Sequence, residues 1–160
     1  MGIKPTFNVG DVRNRFDAFL DAVERKQIAR LQRIGEKCLA YARDSHPNNW
    51  QDQTGNLRSS VGYMVFVNGK AVHNSPFDQI SARETRDGVE YNGGQQGESL
   101  CKRIGGETSG IALVVVAGMN YAVHVESKGR DVLTGAEQLA ARELPKELEK
   151  LIDNIKRAAE

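Results

Sequence analysis

Apolar residues recur every three or four places through positions 9–43: Val12, Phe16, Phe19 and Val23, then Ile28, Leu31, Ile34, Cys38 and Ala42. That is the period of an amphipathic helix. The stripe slips by one place between Val23 and Ile28, which leaves one long helix with a drifting buried face, or two helices meeting near Lys26. Asp11 with Arg15 and Asp21 with Arg25 stand four apart in the favourable acid-first order and read as a solvated face. His46-Pro47-Asn48-Asn49 should end the helix, because a residue before proline is pushed out of the helical region and asparagine favours turns.

Past Trp50 the pattern changes period. In 54–60, TGNLRSS, Thr54 can cap a helical turn that carries Leu57 inward. Residues 61–67 are β-branched and aromatic, Asn68-Gly69 is a strong two-residue hairpin signal, and 70–73 supplies the returning strand. From 74 to 110 the chain is polar and glycine-rich, with strand-like residues only at 89–91. So long a loop reads as a mobile excursion, or as an extended hairpin that orders against a neighbour. Ile111–Ala117, IALVVVA, is apolar on both faces and predicts a central strand covered on both sides.

After that strand Asn120 can cap a short helix over 121–128, with Gly129 as a left-handed stop. Thr134 followed three places later by Glu137 has the capping-box pattern. Leu144, Leu148, Leu151 and Ile155 mark a closing amphipathic helix, which Pro145 should kink or in which it should open the regular part. The order predicts an α+β fold: a small, mainly antiparallel sheet packed on one face by the long N-terminal helix and the C-terminal helix, with the glycine-rich excursion beside it.

Composition narrows the function classes. At 160 residues and 17.6 kDa the chain fits one domain, 1–160, with the excursion inside it. Aromatics at 6% and a mean hydropathy of −0.50 imply a thin core. A net charge of +1 predicts no general attraction to nucleic acid or to an anionic membrane. No apolar run approaches the roughly 20 residues of a bilayer span, and MGIKPTFNVG lacks a signal-peptide core, so an intracellular protein is expected. Cys38 and Cys101 have no CxxC partner and read as buried or incidental thiols.

The stretch 118–132, GMNYAVHVESKGRDV, invites a catalytic reading because it gathers Tyr121, His124 and Glu126. Two residues apart, His124 and Glu126 share a face only in an extended segment, and no partner nucleophile or metal ligand is spaced to join them. His46, His73 and His124 fit no metal-ligand spacing. Gly93, Gly94 and Gly97 resemble a phosphate loop only superficially, since no GKS or GKT follows. Arg83, Arg86, Lys102 and Arg103 are neutralised by Glu84, Asp87, Glu90 and Glu98. The expectation is no catalytic residue, no metal and no cofactor; a small hydrolase or nuclease using His124 and Glu126, or a small oligomeric binding module, are the competing readings.

Two motifs and their order resemble the tail-completion, or neck, proteins of long-tailed bacteriophages. Members open with a long helix and show TGxLRxS leading into a strand; later an apolar strand ends in YAxxVExG before a closing helix. Here these are Thr54-Gly55-Asn56-Leu57-Arg58-Ser59-Ser60 and Tyr121-Ala122-Val123-His124-Val125-Glu126-Ser127-Lys128-Gly129, with Ser127 and Lys128 set between the glutamate and the glycine. The resemblance implies a non-enzymatic virion-assembly protein of a phage or prophage. It would act in the host cytoplasm and then in the neck or tail, as a ring-forming subunit that completes the tail or joins it to the head-tail connector. Its partners would be the connector, the tail terminator or the tail tube, with no membrane and no sequence-specific nucleic acid. Thr54, Gly55, Leu57, Arg58, Tyr121, Ala122, Val125, Glu126 and Gly129 are the candidate motif or interface residues. Gly55 and Gly129 are assigned to backbone geometry, and a charge-assisted Arg58–Glu126 bond is expected.

Overall fold

A computed structural model of the chain describes residues 8–44, 55–77, 84–86 and 89–159; the 46–49 helix end, Trp50 and Thr54 lie outside them. The slipped stripe of the first segment resolves as a single helix, α1 (Val9–Arg43), about 52 Å long. The Asn8 side chain accepts a bond from the Gly10 amide at its start. A short helix α2 (Asn56–Ser60) runs into β1 (Val61–Val67), and β2 (Lys70–Asn74) returns through a turn with Asn68 at φ 49° and Gly69 at φ 78°. Positive φ at both central residues is the requirement of the hairpin turn that Asn-Gly satisfies most readily.

The rest of the chain gives β3 (Glu84–Arg86), β4 (Val89–Tyr91), α3 (Gly93–Gly106), β5 (Ile111–Ala117), α4 (Ala122–Ser127) and α5 (Thr134–Ala159). β3 and β4 pair with each other as a two-stranded hairpin. α5 runs through Pro145 without interruption.

The main sheet has the order β2-β1-β5, with both pairings antiparallel. This corrects the expected place of the apolar strand. β1 is central and β5 is an edge strand, pairing on its other side with no described strand. IALVVVA is apolar on alternate sides for a different reason. Ile111, Leu113 and Val115 pack toward the α1 side, and Val114 and Val116 pack on the opposite face.

α1 covers the first face, with Ile34, Cys38, Leu39 and Ala42 against Val61, Tyr63 and Val65. α5 packs antiparallel along α1, fixed by a part-buried Arg30–Glu147 ion pair at 3.0 Å and an exposed Lys37–Glu143 pair at 2.7 Å. The second face carries a helix where a loop was expected. α3 occupies much of the glycine-rich excursion and packs Cys101 against Met64, Phe66 and Val116. Glycine disfavours an isolated helix by about 1 kcal/mol per residue, which is why the segment reads as loop. Here Gly93, Gly97 and Gly105 fall on one buried stripe with Cys101. A Cβ at Gly97 would meet the Ser60 carbonyl oxygen, and one at Gly105 the Phe66 ring. The missing side chains let the helix axis approach the strands, and sheet packing offsets the poor propensity.

Candidate functional site

The two motif segments meet at one end of the sheet. Gly55 takes a left-handed φ of 77°, which starts α2 in a direction that turns Leu57 inward, where it is 3% exposed. Leu57 forms one apolar cluster with Met119, Ala122 and Val132, against which Tyr121 and Val125 lean, half-buried. Segments more than 60 positions apart are therefore one structural unit. Ser60 stitches them together: its carbonyl accepts from the Gly118 amide at 3.1 Å, and its hydroxyl from the Met119 amide at 3.3 Å. The same hydroxyl donates to the Leu57 carbonyl at 2.8 Å. Ser60, Met119 and Val132 were not singled out by the sequence reading; the only signal for Ser60 is its place at the helix-to-strand step.

α4 begins at Ala122 with Tyr121 as its cap residue and no side-chain cap bond, so the Asn120 cap is not formed. Gly129, at φ 75°, ends it as expected. Glu126 then reaches forward to the next helix. Its Oε1 accepts from the Leu133 amide at 3.1 Å, the Thr134 amide at 2.8 Å and the Thr134 hydroxyl at 2.7 Å. Burial opposes ionisation of this carboxyl. The Thr134 hydroxyl and the backbone amides outweigh burial and hold it below its ordinary value. Asp131 adds a second anchor, taking the Gly135 amide at 2.9 Å on one oxygen and the Tyr41 hydroxyl at 3.2 Å on the other. α5 thus starts on one carboxylate from α4 and another from the turn between the two helices, which suit the positive end of a helix. This replaces the expected box, because the Thr134 hydroxyl is spent on Glu126.

The Arg58–Glu126 bond is not made: Arg58 is exposed and no ion pair joins the two. Val123 and His124 also face solvent. His73 lies on β2 against Tyr63, whose hydroxyl donates to Glu36 at 2.6 Å and lies 3.1 Å from the His73 Nε2. Burial and the neighbouring carboxylate push the Tyr63 hydroxyl above its ordinary range. The hydrogen-bonded set of Glu36, Tyr63 and His73 was missed because its members come from three separate elements. Among the described residues no group of three or more His, Cys, Asp and Glu side chains could hold a metal ion. Cys38 and Cys101 are both buried, and burial raises the Cys101 thiol to about 11, so neither is a ready nucleophile.

A second feature lies on the α1 side. α5 leans on α1 more than on the strands, which leaves a groove of about 590 Å³ between α5 and the β5 edge. Leu31 and Ile34 floor it, Ile111 and Leu113 form one wall, and Leu144 and Leu148 the other. Compared with protein-family models, curated proteins and solved structures, the chain matches none.

Proposed function

We propose that this chain is a structural virion-assembly protein of a tailed bacteriophage or prophage. It completes the tail or joins it to the head-tail connector as a ring-forming subunit, and it works without catalytic residues or a cofactor. The observation that carries the reading is the union of the two motifs: Leu57 packs in one cluster with Tyr121, Ala122 and Val125. That is where a family signature split across the chain should converge if its purpose is to fix one end of the sheet. The cluster gives Arg58, Val123 and His124 a rigid base from which to face solvent, as contact residues between subunits need. The partners on this reading are the connector, the tail terminator or the tail tube, met in the host cytoplasm and retained in the virion.

The test is an amber allele of the gene in its phage. Electron microscopy of the lysate should show filled heads and separate tails in place of virions. The chain itself should be found by mass spectrometry in purified wild-type particles. Normal virions from the amber lysate, or particles lacking the chain, would overturn the proposal.

A further inference from the structure

The first third of α1 leaves the body of the protein. Every residue from 8 to 21 is exposed, yet the segment carries a continuous apolar stripe of Val9, Val12, Phe16, Phe19 and Leu20. Phe16 is 59% exposed. α5 carries a matching stripe of exposed Leu144 and Leu148, which line the groove, continued by exposed Ile152 one turn further on. These two patches contain eight of the eleven exposed large apolar side chains of the described residues. Single exposed apolar residues need no explanation, but contiguous rows of them mark interaction surfaces.

We infer that the α1 arm of one copy docks along the groove of a second copy. The arm cannot fill its own groove, because Leu31 and Ile34, which floor it, belong to the same unbroken helix. The dimensions agree. Val9 to Leu20 and Glu137 to Leu148 each advance eleven residues, about 17 Å of helix. Charge excludes the commonest other occupants of an amphipathic helix. Residues 9–26 hold four acidic and four basic side chains, and α5 holds five of each. A helix that lies on anionic lipid or nucleic acid carries a basic polar face, and this one is balanced. The groove is mainly apolar, and its lining carries one basic side chain, Arg30, and two acidic ones, Glu137 and Glu147, so it offers no strong charge of either sign and suits a helix of balanced charge. The contact stands apart from the phage assignment, and its head-to-tail closure would supply the ring.

The test is sedimentation of the full chain with two variants, Phe16→Asp in the arm and Leu148→Asp in the groove. The wild type should self-associate at roughly micromolar concentration or below, the weak end of the range for a standard-sized interface. Each variant alone should lose at least about 30-fold in association, as for a central anchor, with circular dichroism and melting temperature unchanged in dilute solution, where the wild type is monomeric. Mixed together they should re-associate as pairs, because the intact arm of one meets the intact groove of the other. As an independent measurement, Phe16→Cys mixed with Leu148→Cys should give a mixed disulfide on oxidation. A wild type that stays monomeric, or variants that fail to complement, would overturn the inference while leaving the amber-allele result untouched. Conversely, an arm-to-groove complex in a protein absent from virions would sink only the phage reading.

Discussion

The two faces of the sheet are buried by opposite means. Under α3 the side chains have been removed so that backbone can approach backbone, with Gly93, Gly97 and Gly105 pressed against α2 and β1. On the α1 side large side chains have been kept, and the last of them, from Phe16 to Leu148, find no cover within the described residues. The first arrangement is complete in one chain, and the second is half of a contact. The difference teaches that helix-forming strength and burial are separate properties. The poor helix former is the packed one, and the longest helix is the one left partly bare.

The largest effect should come from the closed side. Leu57→Ala would empty the cluster that holds α2 to α4, and burial of this kind is worth about 2–5 kcal/mol. Thermal unfolding should fall by about 4–20 °C at the 2–4 °C per kcal/mol expected for this chain length. A loss under 1 kcal/mol would mean that the end of the sheet is not closed as described.

Gly97→Ala sharpens the comparison because its sign is contested. Propensity alone says that alanine stabilises a helix by about 1 kcal/mol. The new methyl, however, would meet the backbone carbonyl of Ser60 and a Phe77 ring carbon 2.8 Å away, and backbone cannot rotate aside. Overpacking of this kind costs about 1–3 kcal/mol. We expect a net loss of about 1–2 kcal/mol in denaturant unfolding, and a more stable protein would break the account of α3.

Glu126→Gln tests the seam between the motifs and α5 with a smaller effect, about 0.5–1 kcal/mol at neutral pH. The amide keeps an acceptor oxygen but loses the charge at the helix start. The pH dependence carries the diagnosis. The folded-state pKa of Glu126 is depressed, so its stabilisation is present above the ordinary glutamate value of about 4.3 and is lost as pH falls through the lower, folded value. The gap between wild type and variant should therefore close on acidification below about pH 4. A gap constant from pH 7 to pH 3 would show that the charge contributes nothing.

Much of this architecture is legible in the sequence, and the failures share a cause. The long helix, the Asn68-Gly69 hairpin and the closing helix follow from local period and turn chemistry, and they stand where those rules put them. β5 was misplaced because an all-apolar strand looks the same whether it is central or at an edge roofed by helices on both sides. α3 was lost because a glycine scores by what it does to an isolated helix. Its spacing of four, through Gly93, Gly97, Cys101 and Gly105, was the unread signal. The start of α5 was assigned to Thr134 and Glu137 by a local box, whereas Glu126 reaches it from α4 and Asp131 from the turn between. Among the candidate motif or interface residues, Leu57, Tyr121, Ala122 and Val125 share one apolar cluster, and Arg58 is exposed beside it.

The smallest effect belongs to the open side, and it is the one that separates the two faces most clearly. Phe16→Ser removes a large aromatic ring from a helix position that is exposed within the described structure. If exposure means what it says, dilute protein should unfold within about 0.5 kcal/mol of wild type, the usual range for a surface site. The outcome changes if the arm is covered in concentrated protein. Binding between folded copies adds stability that grows with concentration, so the wild-type melting temperature should rise on concentrating the sample while that of the variant stays flat. The comparison of the two melting curves at low and high concentration measures how much of the arm is buried by another copy, in a protein whose own fold leaves it bare. A large loss for Phe16→Ser at high dilution would instead place the arm inside the monomer core, and the contrast between the faces would fall with it.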